Sequence, residues 1–282
     1  VVFVGVFCGN LLSGPVGDTF GRRLPILISY ASILFFSILS SLSWGFWSLC
    51  VFRFLVGMSF GLGQPAQMSL VSETTPAKWR AIFCGLGQYA FCLGEIYTGF
   101  LIMADDPYME SLHWRHLLIY GALPTAIFGV LAWLFLNQSP LYLACGGRYE
   151  ETKAVLQSMR EDNQSPDVCI DFKPHRVLCG GSGVQSSVSK QMSMIMGPDL
   201  RATTLILVYS TFVLNLMYYG SLYCFPRVLQ EVQLAGTPAA NLVIGTVWEF
   251  VGLTIGLVCT MYLPRKPTIR VYIVMMVLVL VS

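Results

Sequence analysis

The chain has 282 residues, of which 55% are hydrophobic and only 11% are charged, and its formal net charge is +2. A soluble domain carries about 25% charged residues, so this composition excludes a soluble protein and predicts one that crosses a membrane several times. A nucleic-acid-binding protein would need a clustered basic face, and with so few charges the sequence predicts no nucleic-acid partner.

Long apolar runs divide the chain into candidate membrane spans, each of which needs about 20 apolar residues. They predict eight segments, the first and last of them truncated: 1–13, 24–43, 46–70, 79–103, 115–136, 203–225, 239–263 and 269–282. Because the runs are continuous rather than alternating, they predict helices and not barrel strands. The fold class is therefore all-α, a polytopic transmembrane helix bundle embedded in a lipid bilayer. Since the sequence begins and ends inside apolar runs, we expect a fragment.

The placement of charges predicts the orientation of these segments. If the stretch 14–23 faces the cytoplasm and the segments alternate, 14 of the 17 lysines and arginines lie on the cytoplasmic side and two on the outer side. This split is what the positive-inside rule expects. The one long hydrophilic stretch, 139–200, contains a Gly/Ser-rich part typical of a flexible linker. We predict an N-terminal bundle over 1–138, a central cytoplasmic loop over 139–200 and the start of a second bundle over 201–282.

A charged turn between the first two segments carries the most specific motif. It follows the pattern G-x-x-x-D-x-x-G-R-R and consists of Gly14, Asp18, Gly21, Arg22 and Arg23. An aspartate near one helix end and arginines near the next can bridge the helices at the membrane face, where partial desolvation strengthens the pair. The alternative is a basic turn that only obeys the positive-inside rule. The pattern resembles the signature loop between spans two and three of the major facilitator superfamily, which implies a charge relay that holds a cytoplasmic gate.

Arg53, Gly57 and Gly61 form a second motif, R-x-x-x-G-x-x-x-G, in the third predicted segment. An arginine inside a membrane costs about 2.5–3.5 kcal/mol on insertion scales and normally faces a cavity or a partner. Glycines four residues apart let two helices approach closely. The motif resembles the one in span four of the same superfamily, which implies a gating role for Arg53. The alternative is that Arg53 lies close to the outer end and extends to the interface.

Two further matches follow in the order and spacing of that superfamily. Glu73 and Arg80 lie in E-x-x-P-x-x-x-R, which resembles the loop after span four of sugar-porter and organic-ion members. Arg148 ends the element S-P-L-Y-L-x-x-x-G-R, which resembles the one that closes span six. The resemblance implies that these three residues belong to the relay. Four positions depart from the family pattern and predict a thinner relay: Thr19, Ala81, Gln138 and Leu141.

The matches over residues 14–148 imply a major facilitator fold in which this chain covers about spans two to nine of twelve. That fold implies alternating access, in which two bundles rock around a site near the middle of the membrane. We expect a small, charged organic solute moved by secondary active or facilitative transport, with H+ as a candidate coupling ion and no cofactor. The thinned motifs favour a second hypothesis, a non-transporting membrane receptor or regulatory scaffold on the same fold. The protein is expected in a plasma or vesicle membrane.

Polar side chains inside the predicted spans are the candidate substrate contacts. The residues assigned on this basis are Gln67, Gln88, Glu95, Asn215, Tyr218, Tyr219, Trp248 and Glu249. Gln88 also aligns with a substrate-contacting glutamine of sugar porters. The run Asn-x-x-Tyr-Tyr-Gly resembles the synaptic-vesicle and organic-ion branches rather than the Gln-Gln-x-Ser-Gly of sugar porters, which argues against a sugar as the solute.

Glu95 and Glu249 are the sharpest of these candidates, since a carboxylate buried in a membrane tends to take up a proton or to bind a cation. The alternatives are that each pairs with Arg53 or faces a wet cavity. Gln67 could equally join two helices, and the two tyrosines could form an interfacial aromatic pair. The sequence has no nucleophile and base at useful spacing, no P-loop and no metal-ligand spacing. It therefore predicts no enzyme, no catalytic residue and no metal site.

Overall fold

The structure is a computed structural model of the chain. It describes residues 1–164, 167, 169–171, 193, 196–198, 200–231, 236–262, 267, 270–271 and 274–275. Most of the predicted linker beyond residue 164 and most of the predicted segment 269–282 lie outside the described residues.

The described residues form nine helices and no strand. We number them α1 Val2–Phe20, α2 Arg23–Ser41, α3 Phe46–Thr74, α4 Arg80–Asp105, α5 Trp114–Phe135, α6 Pro140–Cys145, α7 Tyr149–Asp162, α8 Arg201–Glu231 and α9 Pro238–Tyr262. The long helices follow the predicted segments in order. The all-α prediction is confirmed.

Among the described residues, five helices are long and apolar enough to cross a membrane by length and composition. They are α2, α3, α5, the Arg201–Gly220 part of α8 and the Pro238–Cys259 part of α9. The predicted spans 1–13 and 79–103 also form long helices, α1 and α4, but neither reaches that level of hydropathy. The reason is polar residues within them, among which are Asn10 and Asp18 in α1 and Gln88 and Glu95 in α4.

The charged turn is shorter than the predicted stretch 14–23, and that prediction is wrong in extent. Helix α1 continues to Phe20, so Gly14 and Asp18 are helical, and the chain turns only at Gly21 and Arg22. The Thr19 hydroxyl donates to the Pro15 carbonyl oxygen at 2.9 Å. This bond gives the Thr19 hydroxyl a partner within the helix, so that a polar residue can be helical here.

Glycines let α1 and α3 pack with their backbones in contact. A Cβ on Gly57 would lie 2.2 Å from the Val2 carbonyl oxygen, and one on Gly61 would lie 2.2 Å from that of Val6. Distances this short leave no room for any side chain. The prediction that these glycines allow close helix approach is confirmed, and the resulting contact holds the start of α1 against α3.

The chain folds into two compact units. The first contains Val1–Thr74 and Trp114–Arg227, and the second contains Thr75–His113 and Val228–Ser282. In the first unit, α2 lies against α3 and α5 around a small core of Ile26, Ala66 and Leu70. In the second unit, α4 packs on α9. The predicted bundle boundaries at residues 138 and 200 stay a prediction.

Candidate functional site

Arg22 bridges two carboxylates at the turn between α1 and α2. Its Nη1 lies 3.0 Å from Asp18 Oδ1, and its Nε lies 3.3 Å from Glu73 Oε1 near the end of α3. The side chains of Arg22 and Glu73 are only 20% and 13% exposed, which leaves the pair partly shielded from water. Asp18, Arg22 and Glu73, predicted to belong to one relay, therefore lie together.

Glu73 also accepts hydrogen bonds from two serines that the sequence did not single out. Ser69, one turn earlier on α3, donates to Oε1 at 2.7 Å, and Ser139 donates to Oε2 through a very short bond. Ser139 is the residue before α6, and its oxygen accepts from the Tyr142 backbone N–H at 3.2 Å. This N-terminal cap brings the start of α6 onto the carboxylate. The sequence signal for it was the Ser-Pro pair at a helix start.

Gln138 closes the other side of the turn. Its Oε1 accepts from the Arg23 backbone N–H at 3.0 Å, and its Nε2 donates to the Phe20 carbonyl oxygen at 3.3 Å. Gly21 lies between them with φ +85°, and a Cβ there would lie 2.1 Å from Gln138 Nε2. The Tyr142 hydroxyl adds a bond to the Thr19 carbonyl oxygen at 2.7 Å. We call Asp18, Arg22, Glu73, Gln138 and Ser139 the relay junction.

The remaining predicted relay residues lie elsewhere. Arg148 pairs with Glu151 one turn away at 2.5 Å, and both side chains are 54% exposed. Arg80 is exposed at the start of α4. Arg53 is half-buried, and its Nη2 has no hydrogen-bond partner among the described residues. Gly14 has open space around it within α1.

Arg23 is close to the relay junction but makes none of its ion pairs. Its Nη2 donates to the carbonyl oxygen of Trp133, near the end of α5, at 2.9 Å. Within the part of the chain that the structure describes, no carboxylate lies within 4.0 Å of its guanidinium nitrogens, and its Nε is buried without a hydrogen-bond partner.

A second cluster brings together the two carboxylates predicted to be the sharpest substrate candidates. One ligand atom each from Cys92, Glu95 and Glu249 lies within 4.8 Å of the others, with Cys92 fully buried. The Cys92 thiol hydrogen-bonds Glu249. No pattern in the sequence singled out Cys92. A thiol and two carboxylates are a donor set that Zn²⁺ accepts, so the predicted absence of a metal stays untested.

The packing of α4 on α9 explains why these residues meet. The Tyr89 hydroxyl donates to Thr254 Oγ1 at 3.0 Å. A Cβ on Gly99 would lie 2.8 Å from Val243 Cγ2. Residue numbers that rise along α4 therefore meet falling numbers on α9, so the helices are antiparallel. This register places Cys92 opposite Glu249.

The other predicted substrate contacts are more exposed. Gln67, Gln88 and Asn215 are exposed, and the Asn215 amide donates to its own helix at Thr211 O at 2.8 Å. Trp248 is 69% exposed. The Tyr218 and Tyr219 rings lie 5.1 Å apart, and Tyr219 contacts Phe3 at 4.6 Å. The two tyrosine rings therefore contact each other, and both predictions for them, solute binding and an interfacial aromatic pair, stay predictions.

Comparison with known proteins gives a consistent family. Residues 1–282 match the family described as sugar (and other) transporter. The synaptic vesicle 2-related protein of Xenopus laevis is 31% identical over 220 residues, which are 78% of this chain and 38% of that protein. The probable plastidic glucose transporter 1 of Arabidopsis thaliana is 25% identical over 268 residues, which are 94% of this chain and 48% of that protein. The chain thus spans less than half the length of these two relatives.

Solved structures give the same fold. The xylose transporter XylE from E. coli, in a partially occluded inward-open conformation, matches with a TM-score of 0.68 and 17% identity over 94% of this chain and 62% of that one. Another structure of XylE, described as a major facilitator superfamily proton:xylose symporter, gives a TM-score of 0.66. At this identity the likeness shows the fold alone. Because the family match covers the whole sequence, the chain belongs to the sugar (and other) transporter family of multi-pass membrane proteins, which are transporters rather than enzymes.

Proposed function

We propose that the protein containing this chain moves a small, positively charged organic solute across a membrane by alternating access, with H+ as the coupling ion. Membership of a transporter family and the major facilitator fold support transport itself. The observation that supports the solute class and the coupling ion is the Glu95–Glu249 pair in the middle of two long helices.

Two negative charges this close favour the arrival of a positive one. Carboxylate oxygens no more than 4.8 Å apart repel by about 3.5 kcal/mol or more at an effective dielectric constant of 20. One proton shared by the pair, or one cationic group bound between them, removes that repulsion. A proton and a cationic solute would therefore compete for the same place, which is a direct way to couple their movements.

We propose that the relay junction is a contact that breaks when a gate opens. Arg22 joins the end of α1 to the end of α3, and Ser139 joins α3 to the start of α6. We propose that these bonds hold three helix ends together in one state of the cycle. When these bonds are broken in the other state, the three helix ends are no longer held to one another.

The alternative, a receptor or scaffold without transport, is favoured by the departures from the family motifs. Gln138, one of those departures, makes two hydrogen bonds across the turn. The motif that suggested a weak gate is thus well bonded in this chain. For this reason we favour transport.

Uptake by the full-length protein in proteoliposomes tests the proposal. Labelled organic cations and neutral sugars of similar size are compared with and without an inward proton gradient. We expect the gradient to stimulate uptake of cations, and Glu249→Gln to remove that stimulation and to lower uptake about tenfold or more. The matched control is Glu110→Gln, a carboxylate exposed in the loop after α4, which should behave as wild type.

Three results would contradict different parts of the proposal. Uptake of neutral sugars alone would exclude the cationic solute. Equal behaviour of Glu249→Gln and Glu110→Gln would exclude the carboxylate pair as the coupling site. Uptake of no solute by a folded protein would favour the receptor.

A further inference from the structure

An apolar groove runs between α2 and α5, two helices that are apolar enough to cross a membrane. Its volume is about 440 Å³. Ten residues line it, among them Leu27, Ala31, Leu34, Ala126, Val130 and Trp133. Three of its lining side chains, those of Ile28, Val130 and Trp133, are 41%, 57% and 65% exposed. We infer that they face lipid acyl chains, because the medium of the membrane interior is hydrocarbon.

One end of the groove lies at a membrane face. Arg23, the first residue of α2, bonds the carbonyl oxygen of Trp133, which lines the groove near the end of α5. From Leu27 to Leu34 the helix rises about 10 Å at 1.5 Å per residue. The groove therefore starts one turn from Arg23 and extends about 10 Å into the membrane, the depth of part of one acyl chain.

Arg23 supplies a charge at that end for which no carboxylate among the described residues compensates. A guanidinium has five N–H donors, and the described contacts of Arg23 use one of them, for the Trp133 carbonyl. Arg22, its neighbour, has its charge paired with those of Asp18 and Glu73. The two adjacent arginines of the signature motif thus have different roles, and Arg23 is the one left for an outside anion.

We propose that this groove binds an anionic phospholipid, with an acyl chain along α2 and α5 and the phosphate at Arg23. Charge complementarity selects this occupant over a neutral lipid. Arg23 lies at the predicted cytoplasmic face, and the cytoplasmic leaflet is the one rich in anionic lipids. Basic sites between transmembrane helices on that side bind such headgroups.

Photo-crosslinking of the purified full-length protein tests the site. The probes are phosphatidylglycerol and phosphatidylcholine that carry the same diazirine on an acyl chain, and labelled peptides are mapped by mass spectrometry. We expect peptides covering 27–34 and 125–133 to be labelled about fivefold more strongly by phosphatidylglycerol, the effect of one basic side chain near a charged lipid. Soluble glycerol phosphate should not compete, since it cannot fill the groove.

Two pairs of matched variants separate the headgroup from the groove. Arg23→Gln should remove the preference for phosphatidylglycerol. Arg115→Gln should leave it, since Arg115 bonds a backbone carbonyl, that of Ser43, in the same way at 3.1 Å but lies at the start of α5 rather than at its end. Ala31→Trp should lower labelling by both probes. Ile38→Trp, an exposed position on α2 outside the groove, should not.

The proposal fails if wild type shows no preference between the two lipids, or if Arg23→Gln and Arg115→Gln behave alike. It also fails if Ala31→Trp and Ile38→Trp are labelled to the same extent, or if glycerol phosphate competes with the lipid probes as well as the lipid itself does. If Ala31→Trp loses labelling because it misfolds, Arg23→Gln still tests the proposal. Its readout is the ratio of labelling by two probes on one folded protein.

Discussion

Replacing Arg22 by Gln should lower the free energy needed to open the relay junction by about 2 kcal/mol. The Arg22–Glu73 contact, at 3.3 Å between side chains that are 20% and 13% exposed, has a gross attraction of about 5 kcal/mol at an effective dielectric constant of 20. Desolvation of both groups offsets much of it. Glu73 keeps two hydroxyl donors, Ser69 and Ser139, so its charge is not left bare. The net loss should therefore fall within the range of about 1.5–3 kcal/mol for a hydrogen bond to a charged group.

Hydrogen exchange of the purified full-length protein measures this opening directly. Peptides that cover residues 20–23 and 138–143 contain the Arg23 amide, bonded across the turn to Gln138, and the Tyr142 amide, bonded to the Ser139 cap. A loss of about 2 kcal/mol should make their exchange about 30-fold faster. The matched control is Arg148→Gln. That residue pairs with Glu151 on its own helix with both side chains 54% exposed, so the control should change exchange less than about threefold.

A double-mutant cycle decides whether the two charges act on each other. Arg22→Gln and Glu73→Gln should each speed exchange, and together they should do so by less than the product of their separate effects. Equal effects of Arg22→Gln and Arg148→Gln, or effects of Arg22→Gln and Glu73→Gln that simply multiply, would refute the argument that Arg22 holds α1 to α3.

Two further predictions concern the loops. Gly21→Ala should speed exchange at the turn by at least about fivefold, because φ +85° and the position of Gln138 exclude a Cβ. Gly14→Ala, in a helix with open space around it, should leave exchange unchanged or slower. Asp106 accepts backbone N–H bonds, of which that from Ser111 contributes most to holding the pKa of its carboxyl below the ordinary value of 3.8. The charged form therefore stabilises this loop at neutral pH, and the benefit is lost as pH falls through the lowered pKa. Asp106→Asn should give faster loop exchange at pH 7, and a loop equally protected in both proteins would contradict this.

Local spacing predicted a good part of the structure. Apolar runs predicted the long helices, and the glycines at 57 and 61 predicted a close helix contact. Asp18 and Arg22 are four positions apart, about one helical turn, so their ion pair follows from sequence once α1 is known to continue to Phe20. The prediction of a ten-residue turn failed because polar residues near a membrane face fit a helix end as well as a loop.

Contacts between distant residues could not be predicted in the same way. Gln138 reaches Arg23 across 115 positions, and Ser139 reaches Glu73 across 66. No periodicity or motif in one sequence specifies such a pairing. Arg148 shows the opposite case. Its position in a family motif suggested a distant partner, but it pairs with Glu151, three residues later.

The missing charges of the family pattern do not by themselves make this relay weak. A carboxylate at residue 138 could only accept hydrogen bonds, whereas the amide of Gln138 both accepts from Arg23 and donates to Phe20. Arg22 is already shared by two carboxylates, so a third would add repulsion among acids as well as attraction. The junction is held by one arginine and several neutral donors, and neutral hydrogen bonds are screened less by salt than surface ion pairs. Its strength therefore depends on geometry at Gly21, Gln138 and Ser139 more than on the number of charges that the motif retains.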